Sequence, residues 1–388
     1  MKRVAAIDVT RGLVMVIMAL DHVRDLLHTP ALTQNPTDLT TTTPAIFLTR
    51  WVTHLCAPTF VFLSGTSAYL SLRKQTSHEQ TNALRFLRSR GFVLLFLELT
   101  VINFAFWFDL PFQSLMLQVI YAIGFGLVIL SFLARLSART VGIIGLVIIV
   151  GHNILQLVPT FTDPAARLVW ALLFRTDFFS ISPTFALLVA YPVIPWLGIM
   201  LVGFACGQWL QEPIQERKRR FLRIGLGALA LFIVLRFLNM YGDPAPWSSQ
   251  KNALFTFFSF INVTKYPPSL LYDLVTLGLM LVFFASIDGI ENAFTRWMTV
   301  YGKVPMFYYI LHWYLVHLSM IGMALWQGYS LADLPSGPMN FGRPANAGIS
   351  LEYVYLVWMT IVLFLYPLCR WYGRYKSEHP TMRWLRYI

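Results

Sequence analysis

Charge is scarce in this 388-residue chain: Asp, Glu, Lys and Arg make up 12% of it, about half of what a soluble domain carries. A fully solvated surface is therefore excluded. Cysteine is scarcer still, with Cys56, Cys206 and Cys369 the only three. All lie in apolar blocks without pairing or ligand spacing, which excludes a disulfide framework and a thiolate metal site and leaves them as small packing residues. No long polar stretch separates the apolar blocks, so a detached soluble domain is excluded and one domain is expected over 1–388. There is no internal repeat, and the only low-complexity tract, TDLTTTTP at 37–44, reads as a solvated outer loop. A cleavable leader is not expected either, because the apolar start runs into DHVRD where a small-residue cleavage site would stand.

What is abundant is apolar sequence, at 57%. Blocks long enough to cross a hydrocarbon core of about 30 Å recur throughout. They predict an all-α, polytopic transmembrane bundle with spans near 5–27, 45–72, 90–108, 112–134, 140–158, 184–210, 221–240, 268–287, 302–326 and 351–370. Residues 159–183, interrupted by Arg167, Arg175 and Asp177, read as an interfacial or re-entrant helix. With the N-terminus inside, the inner segments hold about three quarters of the Lys and Arg residues, including Lys2, Arg3, Arg73, Lys74, Arg217, Lys303, Arg383 and Arg386. Both termini are then cytoplasmic, and the net charge of +12 is a topology signal. Nucleic acid is not an expected partner, since the cations are scattered over separate loops.

The opening helix breaks the apolar rule. IDVTRGLVMVIMALDH carries Asp8, Arg11, Asp21 and His22. At 100° per residue Asp8 and His22 return to within about 40° of one direction, and Arg11 and His22 to within about 20°. Asp8, Arg11, His22 and nearby Asp25 therefore share a face, and charges at that depth normally point into a bundle or a wet cavity. The rise of 1.5 Å per residue puts His22 about 21 Å from Asp8, so the stripe has an inner and an outer end. His54, on the returning second span, falls near the depth of Asp21 and His22, where a histidine beside a carboxylate suits proton abstraction. Arg85, Arg88 and Arg90 at the third span suit phosphates, although they also serve as ordinary inner-side charges. Glu98 is a buried acid in need of a partner. In the ninth span His312 and His317 lie about 140° apart, which excludes a metal pair and makes His312 the pocket candidate. Lys265 sits beside a Pro-Pro break that folds a loop over a cavity or simply starts the next helix.

The ordered set IDVTRGLVMVIMALDH, APTFVFLSGTSAYL, SRGFVLLFLEL, YPVIPWLGIMLVGFACG, NVTKYPPSLLYDL and GKVPMFYYILHWYLVH resembles bacterial membrane proteins carrying the heparan-α-glucosaminide N-acetyltransferase catalytic domain. The D-x-x-R-G opening followed by His22 also resembles the broader membrane acyltransferases that modify cell-surface glycans. The resemblance implies a cytoplasmic acyl-CoA donor, usually acetyl-CoA, and a sugar acceptor on the other side. It further implies His22 as the catalytic residue, Asp8 and Arg11 as framework, and Arg85 with Arg88 as the arginine pair at the donor. The lysosomal enzyme of the family has Asn at the position of His22 and uses a histidine of the following luminal loop. Here that loop offers His28, which stands as the alternative.

The expected function is therefore acyl transfer from cytoplasmic acyl-CoA to a glycan in the bacterial inner membrane. His22 would be oriented by Asp21 and helped by His54, the donor held by Arg11, Arg85, Arg88 and Arg90, and no metal required. Assembly as a homodimer stays open. The rival class is a proton-coupled secondary transporter, for which buried Asp, His and Glu residues are equally typical. A noncatalytic partner in an envelope complex is the third.

Overall fold

The computed structural model describes residues 4–72 and 77–387. Lys2, Arg3, Arg73, Lys74 and the side chain of Arg383, all counted above as inner charges, lie outside the described residues. The elements are α1 (Ala5–Leu27), α2 (Pro44–Val52), α3 (Cys56–Leu72), α4 (Ser77–Leu97), α5 (Asn103–Trp107), β1 (Ser114–Leu117), α6 (Val119–Leu133), α7 (Ala138–Gly151) and α8 (Pro164–Leu173). They continue with β2 (Asp177–Ser182), β3 (Phe185–Val189), α9 (Val193–Cys206), α10 (Ile214–Leu238), α11 (Ala253–Ile261), α12 (Leu270–Ile287), α13 (Ala293–Gly302), α14 (Pro305–Trp326) and α15 (Leu351–Glu378).

The chain is a helical membrane protein, and every expected span has a helix. Among the described residues eight helical stretches are long and apolar enough to cross a membrane. The other two expected spans fall short for different reasons. α1 has the length, 23 residues, but carries Asp8, Arg11, Asp21, Arg24 and Asp25. α6 is apolar but only 15 residues long, because the segment before it is β1. Likewise the block at 184–210 is divided: Phe185–Val189 is a strand, and Pro192 caps the helix that follows, where its fixed φ suits a helix start. The 159–183 region, expected as an interfacial or re-entrant helix, holds the short α8 and then β2.

Backbone approach sets the bundle. Apolar area gives little preference for helix over lipid, so transmembrane helices associate best where small residues bring their backbones together. α1 crosses α13 in this way: a methyl group at Gly12 would stand 1.9 Å from the Met298 carbonyl oxygen, and one at Gly302 1.8 Å from that of Asp8. The α3–α9 crossing uses Gly65 and Gly203, and Thr66 donates to the Gly203 carbonyl at 2.8 Å. α1 also packs on α3, α12, α14 and α15, so its five charged residues lie on a helix with protein on several sides.

The small sheet was not foreseen, and it positions the site. Its order is β1-β3-β2, with β1 parallel to β3 and β2 antiparallel to it. The strand ends meet where the backbone N–H groups of Ala190 and Tyr191 both donate to the Leu117 carbonyl at 3.1 Å. A π-helical stretch at Glu98–Ile102 braces this junction from α4. Glu98 accepts from the Gln118 N–H at 2.7 Å, and Asn103 donates to the Ser114 carbonyl at 2.8 Å. Glu98 thus finds its partner at the N-terminus of α6, where a carboxylate is favoured by the exposed N–H groups and the helix dipole.

A candidate active site on the first helix

His22 meets His312. Its Nδ1 lies 2.7 Å from His312 Nε2, while His312 Nδ1 lies 3.2 Å from the Tyr308 carbonyl oxygen. A carbonyl only accepts, so His312 carries its proton on Nδ1 and offers Nε2 as an acceptor. His22 then donates from Nδ1, which leaves the lone pair on its Nε2. The His22 ring is clamped against Trp313, with ring centroids 3.8 Å apart and planes inclined by 19°. His22 lines a small pocket of about 20 Å³ with Asp21, Cys56, Gln118, Val119, Tyr191, Lys265 and Tyr309 among its walls. Room for about one water is all this closed pocket offers.

Asp21 lines the same pocket but does not orient His22; His312 takes that place. Neighbouring residues on a helix diverge by about 100°, and the Asp21 carboxylate turns to two cations. Arg24 lies 2.7 Å away and Arg50, from α2, 2.8 Å away. Arg24 also reaches Asp25 at 2.5 Å. This ion-pair cluster separates the His22 pocket from a second recess lined by Arg24, Asp25, His28, Gln34, Asn35 and Thr42. His28, the alternative catalyst, belongs to that recess and not to the His22 pocket. Burial, followed by the Arg24 and Arg343 cations, holds its imidazole below the ordinary pKa. His54 is buried, but it does not line the pocket either: its ring meets Tyr272 edge-on, and its carbonyl accepts from the Tyr272 hydroxyl at 2.7 Å. His317 packs on Phe108 with centroids 4.0 Å apart, away from both histidines of the pair.

On the opposite side of the His22 pocket lies a cavity of about 260 Å³. Phe60, Val119 and Tyr309 belong to the walls of both spaces and form the throat between them. The larger cavity is lined by Arg11, Arg90, Lys303, Lys376 and Arg386, with Ser64, Ser67 and Ser71 along α3 and, among the described residues, no acidic one in its wall. Arg11 is held by Ser67 at 2.9 Å, by the Gly302 carbonyl at 3.3 Å and by Asp8 at 3.5 Å. Asp8 therefore aims Arg11 without itself lining the cavity. Arg11 of α1 and Lys376 of α15 share this wall with Arg386, so these segments meet at one end of the bundle.

The arginines of α4 part company. Arg90 lines the cavity, whereas Arg85 and Arg88 line an open groove on the outer surface of the helix. Arg88 donates to Ser131 at 3.3 Å and lies 4.2 Å above the Phe132 ring. The expected donor pair is thus not brought to the cavity, because five residues of helix turn Arg90 about 140° from Arg85. Lys303 and Arg386 take part instead; in the sequence they read only as inner-side charges. Gln118, Tyr191 and Val119 carried no signal, since the sheet that brings them together was unseen. Arg50, a cation in the apolar RWVTHL, was a visible signal left unused. Among the described residues no cluster of His, Cys, Asp or Glu could hold a metal ion.

Two spaces, one basic and one histidine-lined, thus share a wall inside a helical membrane bundle. The family model described as heparan-alpha-glucosaminide N-acetyltransferase, catalytic, matches residues 3–240. The chain belongs to that family, and is accordingly an enzyme of the membrane N-acetyltransferase class. The match covers Arg11, His22, Arg90 and Glu98, while Lys265, Lys303 and His312 lie beyond it. No curated protein matches the chain.

Proposed function

We propose that this protein transfers an acyl group, acetyl in the first instance, from cytoplasmic acyl-CoA to a sugar or glycan acceptor at the outer face of a bacterial inner membrane. The observation that carries the reading is the shared wall of Phe60, Val119 and Tyr309 between the basic cavity and the His22 pocket. Arg11, Arg90, Lys303, Lys376 and Arg386 supply the charge that CoA phosphates require. From Arg11 to His22 is eleven residues, or about 16 Å along the helix, a distance suited to a donor whose reactive thioester rides on a long arm. Both termini are then cytoplasmic, and residues 1–388 act as one domain.

In this mechanism the acceptor arrives through the second recess, past the Asp21–Arg24 pair. The His22 Nε2 lone pair takes the proton of the acceptor amine or hydroxyl as its nitrogen or oxygen attacks the thioester carbonyl carbon. Lys265, buried in the pocket wall, faces the negative charge that develops on the carbonyl oxygen. Collapse of the tetrahedral species breaks the carbon–sulfur bond, and the His22 imidazolium returns the proton to the leaving thiolate. Attack by His22 itself would instead pass through an acyl-imidazole and give ping-pong kinetics.

The test is acyl-CoA binding and thioester turnover by the purified protein in nanodiscs, with a panel of amino sugars and glycans. Donor binding weakened in Arg90→Gln, together with binding kept but turnover lost in His22→Ala, supports the assignment. Well-folded protein that binds no acyl-CoA overturns it and favours the proton-coupled transporter.

A further inference from the structure

The arginines that the donor cavity leaves out have a geometry of their own. Arg85, Arg88, Ser89, Phe92, Val93 and Phe96 line one open groove of about 460 Å³. Their spacing of three and four residues places them on a single face of α4, turned away from Arg90. The groove is divided by height. One end is cationic, with the Phe132 ring of α6 beneath Arg88, while one to two turns further along α4 Phe92 and Phe96 are 57% and 64% exposed. Among the described residues no acidic side chain lines it. The rise from Arg88 to Phe96 is about 12 Å, which is the distance from a headgroup phosphate to the upper part of its acyl chains. Arg88 is held in place by Ser131 and Phe132, so its charge is fixed at the mouth of the groove.

We infer that this groove is a binding site for an anionic phospholipid. The headgroup phosphate is paired by Arg85 and Arg88, and an acyl chain lies along Phe92 and Phe96. A cation over exposed aromatic rings in a membrane-spanning helix satisfies both halves of such a lipid at once, whereas a soluble anion would use only the arginines. An anionic membrane surface favours each nearby cation by roughly five-fold. Two arginines therefore predict a preference for anionic over zwitterionic lipid on the order of twenty-five-fold.

The experiment is native mass spectrometry of the full chain released from mixed micelles that contain phosphatidylglycerol and phosphatidylcholine with identical acyl chains. Wild type should retain phosphatidylglycerol selectively. The Arg85→Gln/Arg88→Gln variant should lose that selectivity, and Arg85→Lys/Arg88→Lys should recover most of it. Arg135→Gln/Arg139→Gln, which removes two inner-side cations outside the groove, should leave it unchanged. Equal retention of the two lipids by wild type, or undiminished selectivity in the glutamine variant, overturns the proposal. So does displacement of phosphatidylglycerol by inorganic phosphate or by its deacylated headgroup, because the site would then read the phosphate without the chain. Thermal melting in phosphatidylcholine alone establishes that the variants are folded.

Discussion

Replacing His312 probes the site at one hydrogen bond. In His312→Leu the Nδ1–H of His22 loses its acceptor inside a wall that contains Trp313. An unsatisfied buried donor costs about 1–3 kcal/mol. The ring escapes that cost by carrying its proton on Nε2 or by leaving the stack, and either change removes the lone pair from the pocket. The lower bound on the effect is the bond itself, about 0.5–1.5 kcal/mol, or roughly 2- to 13-fold. The upper bound is the full contribution of a general base, about 10²- to 10⁴-fold. We expect kcat in His312→Leu to fall by about 10- to 100-fold, between those bounds, with KM for the donor unchanged because the cations of the inner cavity are untouched. His312→Gln, whose side-chain carbonyl can still accept, should recover much of the loss.

The assay is release of CoA thiol under saturating acceptor, followed across pH from about 5 to 9. His22→Ala should lose the full base contribution, and adding His312→Leu to it should cost nothing more, since residues acting as one unit are not additive. Wild-type kcat and pH profile in His312→Leu would refute the relay. Multiplicative losses in the double variant would show instead that His312 acts independently of His22.

The remaining predictions concern the walls around this pair. Arg90→Gln and Lys303→Gln should each raise the donor KM by about 10- to 100-fold, as expected for one charge-assisted hydrogen bond of about 1.5–3 kcal/mol, with kcat retained; initial rates against acyl-CoA concentration decide it. Val119→Ala should widen the throat and admit a longer acyl chain, and Val119→Trp should block turnover while donor binding persists. Competition between acetyl-CoA and butyryl-CoA is the check, and unchanged selectivity in Val119→Ala would remove the throat from the reading. Gly12→Ala should destabilise the bundle by at least the about 1–3 kcal/mol typical of overpacking, because its methyl would meet backbone and not a movable side chain; the melting temperature in detergent reports it. Arg50→Ala leaves Asp21 with Arg24 as its near cation and should cost about 3–5 kcal/mol, partly regained in Asp21→Asn/Arg50→Gln, whereas an unshifted melting temperature in Arg50→Ala would mean the pair is not a brace.

The helical bundle was legible because hydrocarbon thickness imposes a length that apolar runs reveal directly. The site was most legible where it lies on α1, since the period of a helix puts Arg11 and His22 on one face without any tertiary information. His312 could be selected over His317 for the same reason, although its bond to His22 could not. What escaped was everything produced by contacts between distant segments. The parallel pairing of Ser114–Leu117 with Ala186–Val189 has no local signature strong enough to stand against the apolar runs around it, and it alone carries Gln118, Val119 and Tyr191 to the pocket. The arginines of α4 show the opposite error. Their clustering suggested joint work, but the helix divides them between two faces.

The charges of α1 also explain its place in the bundle. An ionised residue at the membrane centre costs about 2.5–3.5 kcal/mol, so Asp8, Arg11, Asp21, Arg24 and Asp25 together would cost up to about 12–18 kcal/mol on a helix facing lipid. That is comparable with the whole stability of a typical domain, about 5–15 kcal/mol. α1 can be held only where other segments answer those groups. Asp21 is met by Arg50 of α2, Arg11 by Ser67 of α3 and by the Gly302 carbonyl of α13, and His22 by His312 of α14. The partners that make the helix tolerable are also those that aim Arg11 into the cavity and set the His22 proton. In this protein the solution to a folding problem and the assembly of the site are the same set of contacts, and a variant of any partner should be read for both stability and turnover.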